Sequence, residues 1–319
     1  MTDAEFDFLR GFLKSRSGLA LAPEKRYLVE SRLAPVCQKH RLATLAELVA
    51  RLRPLPDPAL ARAVAMTTNE TFFFRDRVPF DLFRDVLLPR CLAAQATTRR
   101  LRIWCAAAST GQEPYSLAMI LRESAPRLLG WTVEIVATDI SGEVLERARS
   151  GLYSQFEVQR GLPIALLLKH FTQTGGNWQL SPAIRAMVEF RQLNLLKSFA
   201  ELGTFDIVLC RNVLIYFDAA TKADVLRRLA RALNPGGTVL LGAAETVIGL
   251  SDALAPHPEH RGLYVAGRGS GPPGAAAGRG RAVSRSAEAL RLTKKPRLAP
   301  GHFLCGPAVH PGSDRYAKG

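Results

Sequence analysis

Runs of apolar side chains that stop abruptly at small or charged residues set the rhythm of the middle of this chain. Residues 103–105, Ile-Trp-Cys, lead into Ala106, Ala107, Ala108, Ser109, Thr110 and Gly111, and then into Glu113. This predicts a short buried strand opening into a turn almost free of side chains, where main chain can approach a ligand as in a nucleotide-binding turn. Small residues also suit a helix packed tightly on a sheet, so the turn alone names no ligand. Val133–Asp139 predicts a second buried strand that ends in an acid, with Ser141 capping a helix over Glu143–Arg149. An acid there suits the ribose hydroxyls of an adenosine-type ligand, while capping the next helix is its other possible role. Phe205–Cys210 predicts a third strand, and Arg211 and Asn212 then interrupt an apolar run that extends to Phe217. That interruption falls where a parallel strand leaves its sheet, which makes Asn212 a candidate pocket residue. Asp218 or Thr221 opens an amphipathic helix over Ala223–Leu233, and Asn234-Pro235-Gly236-Gly237 closes it before a strand over Thr238–Gly242.

Residues 1–66 follow a helical pattern. Thr2 with Glu5 and Thr44 with Glu47 have capping-box spacing, Pro23 suits a first helical turn, and Asp57-Pro58 suits another cap and first turn. Three or four short helices are expected. Between residues 10 and 62, eleven basic side chains face four acidic ones, a surplus of seven that should attract an acidic partner. Further on, Pro163–His170 predicts a short helix, Phe171–Leu180 a hairpin turning at Gly175-Gly176-Asn177, and Ala183–Asn194 a return into the sheet. Trp178 reads either as hairpin packing or as an exposed peptide anchor.

Composition bounds the class. The chain has 319 residues, 47% hydrophobic and 22% charged, which suits a globular protein with one large core or two smaller ones. The 15 excess positive charges are unevenly placed: residues 268–319 hold ten basic and two acidic residues amid Gly, Pro and Ala, and are expected to be a disordered tail. No stretch approaches the length of a membrane span, and the start, MTDAEFDFLR, is acidic where a signal peptide would be basic, so a cytoplasmic location is expected. Cys37, Cys91, Cys105, Cys210 and Cys305 are scattered without CxxC pairing, which predicts buried thiols and no metal site.

Five runs in a fixed order carry a resemblance: TTNETFFFRD at 67–76, WCAAASTGQEPYS at 104–116, ATDIS at 137–141, VEFRQLNLL at 188–196 and FDIVLCRNVLIYFD at 205–218. Together they resemble the CheR family, chemotaxis receptor methyltransferases that esterify receptor glutamates with S-adenosyl-L-methionine and release S-adenosyl-L-homocysteine. The resemblance implies an α/β class I methyltransferase fold, Rossmann-like and mostly parallel, with an N-terminal all-helical domain and an inserted antiparallel β subdomain. The implied boundaries are 1–66 for the docking domain, 67–76 for the interdomain segment, 77–267 for the methyltransferase domain with its insertion at about 170–190, and 268–319 for the tail. It further implies cofactor contacts at Asn69, Thr71, Arg75, Glu113, Asp139, Asn194, Leu195, Asn212 and Val213. Arg75 is expected to orient charge at the reaction centre and Tyr216 to shape the pocket. Phe72, Phe73 and Phe74 are expected to pack between the modules. Glu70 stands where many relatives have an apolar residue and adds negative charge close to the methyl donor.

Lys25, Arg26 and Arg32 lie in the segment that the resemblance assigns to receptor docking, about two helical turns apart. Some relatives grip a receptor's C-terminal peptide tether with the β subdomain; the turn QTGGNW is short beside the loop of such tether binders. The expected partner is a chemoreceptor cytoplasmic domain, met by a monomer. A substrate γ-carboxylate, with a pKa of about 4.3, is already ionised at neutral pH and needs no general base. Two other readings stay open: a nucleic-acid methyltransferase, suggested by the charge, and a signalling module that binds the cofactor without turnover. Against the first, the third strand is followed by Arg211-Asn212-Val213-Leu214 and not by an Asn-Pro-Pro-Tyr type run; a nicotinamide enzyme lacks its GxGxxG.

Overall fold

The computed structural model describes residues 1–53, 60–61, 64 and 70–267. Asn69, Arg62, the Asp57-Pro58 pair, Cys305 and the basic tail lie outside the described residues.

The apolar runs fold as strands of one sheet. β1 (Arg100–Ala106) and β2 (Thr132–Asp139) pair in parallel in register. β3 (Leu152–Ser154), β4 (Phe171–Thr174) and β5 (Asn177–Leu180) form a separate antiparallel sheet in the order β3-β5-β4. β6 (Val188–Gln192), β7 (Phe205–Cys210), β8 (Leu233–Leu241), β9 (Leu254–Pro256) and β10 (Leu263–Ala266) complete a seven-stranded sheet ordered β6-β2-β1-β7-β8-β10-β9. All pairings from β6 to β8 are parallel, and β10 and β9 close the edge antiparallel. This is the Rossmann-like, mostly parallel fold with a small antiparallel sheet beside it.

Central strands buried on both faces are mostly apolar, and β7 is buried at every position, its one acid, Asp206, accepting the Arg102 N–H at 2.8 Å. Trp104 is fully buried between Phe199 and Phe205, and its indole N–H donates to the Thr138 hydroxyl at 3.0 Å. On the other face Phe73 meets Tyr153 and Phe171 edge-on, with ring centroids 5.0 and 5.7 Å apart. Phe73 thus joins residues 70–76 to the sheet core, whereas Phe72 is only half-buried.

The amino-terminal lobe has its own core. Helix α1 (Asp3–Ser17) starts with the full Thr2–Glu5 capping box, and a left-handed Gly18 ends it. Helix α2 (Arg26–Lys39) follows a single 3-10 turn at Pro23–Lys25, and helix α3 (Leu45–Leu52) is capped by Thr44. Phe6, Leu9, Leu13, Leu33, Leu48 and Leu52 bury the faces these helices share.

Several expected boundaries move. The helix after β7 runs Ala219–Arg231, because the Asp218 carboxylate accepts the Thr221 N–H at 2.8 Å and caps it earlier than Ala223. Asn234-Pro235-Gly236-Gly237 does not separate helix from strand; it lies inside β8, where pairing with β7 shifts register between Phe205 and Ile207. Gly237 permits that irregularity, since a Cβ there would sit 2.9 Å from the carbonyl oxygens of Asn234 and Phe205. Pro182–Arg185 is a helical turn where a strand was expected, and β6 begins only at Val188. The small sheet also recruits Leu152–Ser154, upstream of the expected insertion. Trp178 is partly buried against the core and donates to Gln155 at 2.6 Å, which supports hairpin packing.

Candidate active site

The carboxyl ends of β1, β2 and β7 meet at one cavity. After β1 the chain turns with positive φ at Ala107 (60°), Ser109 (51°) and Gly111 (93°). The first two are costly for residues with a Cβ and persist because neighbours fix them. Ala108 N–H donates to the Thr138 carbonyl at 2.9 Å, and Ser109 N–H donates to Asp139 Oδ2 at 2.9 Å. At Gly111 a Cβ would lie 2.9 Å from the Cβ of Ala148, so the turn needs glycine.

Asp139 ends β2 with a buried carboxylate whose Oδ1 accepts the Ser141 N–H at 2.9 Å. Burial pushes its pKa above the ordinary Asp value, against the opposing pull of these main-chain bonds. The cap of the following helix, Gly142–Ser150, is the Ser141 hydroxyl. Asp139 therefore bridges two turns and is no cap itself.

Arg211 is the electrostatic hub. Its side chain is 1% exposed and reaches Glu113 at 2.8 Å and Asp76 at 2.7 Å. It also donates to the Arg75 carbonyl at 2.9 Å, which joins the interdomain segment to the sheet rim. The Glu113 side chain is only 12% exposed, and burial raises its pKa while Arg211 opposes the shift. A buried carboxylate held by one guanidinium is a strong acceptor for a cationic ligand group.

A second carboxylate shapes the segment after β7. Glu245 Oε2 accepts the N–H groups of Asn212 and Gly242, and Oε1 accepts those of Val213, Leu214 and Ile215, at 2.7–3.3 Å. These bonds hold Asn212 at φ 58° and fix the turn whose Asn212, Val213 and Tyr216 line the cavity. The helical lobe supplies another wall. Ser17 and Leu19 line the cavity, Asn194 Nδ2 donates to the Arg16 carbonyl at 2.7 Å, and Ala20 N–H donates to the Tyr216 carbonyl at 2.8 Å.

The cavity together with the open solvent space at its mouth encloses about 1080 Å³. Comparison with known proteins decides what it is for. The model of the CheR methyltransferase SAM binding domain matches residues 69–261, and that of the CheR methyltransferase all-alpha domain matches residues 4–64. The chain belongs to the CheR methyltransferase family. Chemotaxis protein methyltransferase 1 of Pseudomonas aeruginosa is 46% identical over 255 residues, 78% of this chain and 93% of that one. Chemotaxis protein methyltransferase Cher2 of Pseudomonas putida is 44% identical over 254 residues, 78% of this chain and 92% of its own. A chemotaxis protein methyltransferase of Vibrio parahaemolyticus is 43% identical over 260 residues, 79% of this chain and 92% of its own.

As a CheR-family enzyme the protein uses S-adenosylmethionine, and the donor set suits that cofactor. The turn at Ala107–Gly111 leaves room for close approach, Asp139 offers carboxylate lone pairs for vicinal hydroxyls, and Glu113 offers an anion for an ammonium group. Thr71, Arg75, Glu113, Asp139, Asn194, Leu195, Asn212, Val213 and Tyr216 all line the one cavity, together with Glu70. The Asn194 amide is engaged at both ends, since its Oδ1 accepts the Leu196 N–H at 2.9 Å, so this side chain ties lobe to rim.

Lys25, Arg26 and Arg32 lie elsewhere, on the helical lobe. Arg26 is half-buried, pairs with Asp3 at 2.6 Å and stacks over Phe6, so it is partly engaged in holding α2 to α1. Sequence reasoning missed Arg211, Glu245, Ser17 and Leu19 as site residues. Glu245 had a signal of the same kind as Asp139, an acid close after the carboxyl end of an apolar strand. Ser17 and Leu19 had none, because their place depends on how the lobe packs. Among the described residues no helix is long and apolar enough to cross a membrane.

Proposed function

We propose that the protein transfers the methyl group of S-adenosylmethionine to the side-chain carboxylate of specific glutamates in chemoreceptor cytoplasmic domains, forming glutamate methyl esters for chemotaxis adaptation. One observation carries this reading: a single cavity is lined both by the rim carboxylates Asp139 and Glu113 and by the end of α1, so an acceptor delivered along the helical lobe arrives beside the donor. The relatives named as chemotaxis protein methyltransferases support a receptor as that acceptor.

When bound, the cofactor supplies an electrophilic methyl on a sulfonium. Thr71, Asp139, Asn212 and Val213 bind it along the rim, with Leu195 giving an apolar surface, and Asn69 belongs to the same set by family position. Glu113, whose burial-raised pKa the Arg211 guanidinium opposes, takes its ammonium group. Arg75 lines the open side and orients the acceptor carboxylate, and Tyr216, fixed through its carbonyl by Ala20, closes the wall and keeps water away. The acceptor is already anionic at neutral pH, so positioning two reactants about 3 to 3.5 Å apart is the main task left to the chain. Lys25 and Arg32, with Arg26 beside them, steer the acidic helix of the acceptor.

The test is to incubate the protein with methyl-labelled donor and a receptor cytoplasmic fragment. Label released as methanol by mild alkali supports an ester; alkali-stable label, or label on nucleic acid, overturns the reading.

A further inference from the structure

Arg160 was not among the sequence-predicted site residues, yet it pairs with Glu70, which lines the cavity. Its guanidinium lies over the Phe72 ring, 4.3 Å from the centroid, and binds the Glu70 carboxylate at 2.6 Å. Arg75 stacks over the same ring at 5.6 Å and donates to the Glu70 carbonyl at 2.7 Å. Glu70 thus links two guanidinium groups, through its side chain to one and through its main chain to the other. The next residue, Gly161 at φ 86°, packs so closely that a Cβ would collide with the Phe73 carbonyl oxygen. That close approach pins Arg160 beside residues 70–76.

The pair is exposed, 41% for Arg160 and 58% for Glu70, while Glu70 and Arg75 line the cavity itself. Two cations against one anion leave the Glu70–Arg75–Arg160 cluster itself net positive, complementary to an acidic acceptor. The Phe72 ring contact is independent of the Glu70 carboxylate and helps keep the guanidinium in place when a second carboxylate replaces the first. We propose that Arg160 docks a carboxylate of the acceptor protein, and that Glu70 occupies that place until the acceptor arrives. This rests on the receptor-methylating reading and adds to it a substrate-docking residue with a resident competitor.

Equilibrium binding of a receptor cytoplasmic fragment, followed by anisotropy, and methyl-transfer kinetics would be measured for the full chain and for Arg160→Gln, Glu70→Gln and the double variant. Arg160→Gln should weaken fragment binding and raise its KM about fivefold to tenfold, with kcat nearly unchanged and cofactor Kd, read by calorimetry, unmoved. Glu70→Gln should tighten fragment binding about twofold to threefold, and the double variant should match Arg160→Gln. Fragment binding unaffected by Arg160→Gln overturns the proposal whether or not esters form. So does weakening by Glu70→Gln, which would make the pair a structural clasp, or a cofactor Kd that rises in step. Binding that falls as expected in Arg160→Gln, together with a wild-type protein that yields no alkali-labile label, overturns the reaction alone.

Discussion

The rim of the sheet and the seam to the helical lobe are held together by different physics. At the rim, buried carboxylates take main-chain N–H groups and one buried guanidinium, with Asp139, Glu113 and Glu245 each at most 12% exposed by residue or side chain. At the seam, ion pairs such as Lys14–Asp218 at 2.7 Å and Lys39–Glu143 at 2.9 Å stand in solvent. Buried charge without its partner is costly, whereas exposed pairs contribute little and are screened by salt. The donor pocket should therefore be rigid and salt-insensitive, and the acceptor side adjustable.

The largest break in that contrast is Arg211→Met, which strands Glu113 in the interior. Denaturant unfolding should show a loss of about 3–5 kcal/mol, partly recovered by adding Glu113→Gln. Next comes Asp139→Ala, which removes the carboxylate that accepts the Ser109 and Ser141 N–H groups. Calorimetry should show cofactor affinity down about tenfold to a hundredfold, and unchanged affinity would sink the ribose assignment.

Acidification sharpens the same contrast. The folded pKa values of Asp139 and Glu113 are raised by burial, so their carboxylates take up protons at higher pH than exposed ones do. Cofactor affinity should begin to fall above the ordinary carboxylate range as pH drops, and Asp139→Asn should flatten part of that profile. For stability the sign is opposite, since protonation of these groups relieves their desolvation. Asp218, held below its ordinary value first by Lys14, instead contributes stability that is lost as pH falls.

Salt and single seam variants give the smallest effects. Raising ionic strength past about 0.1 M, where the screening length is about 10 Å, should weaken receptor capture and leave cofactor Kd nearly constant. Lys39→Ala should change stability by no more than about 1 kcal/mol in the same unfolding assay.

What the chain reveals by itself follows the reach of each interaction. β1, β2 and β7 were legible because strands buried on both faces must be apolar, and Asp139 because an acid ends such a run. The caps at Thr2, Thr44 and Ser141 were legible because their bonds span three residues. Arg211 showed only as an interruption, since its partners Glu113 and Asp76 lie 98 and 135 residues away. Asn234–Gly237 misled because the pairing of Phe205 with Leu233 overrides the turn preference of Pro and Gly.

The stitches between α1 and the rim use main-chain atoms on the lobe side, the Arg16 carbonyl and the Ala20 N–H. Such atoms are identical whatever side chains surround them. Under the proposed docking role, the outward face of the lobe can drift from one receptor preference to another while the register between lobe and donor pocket stays constant, so a change of client need not entail a change of chemistry.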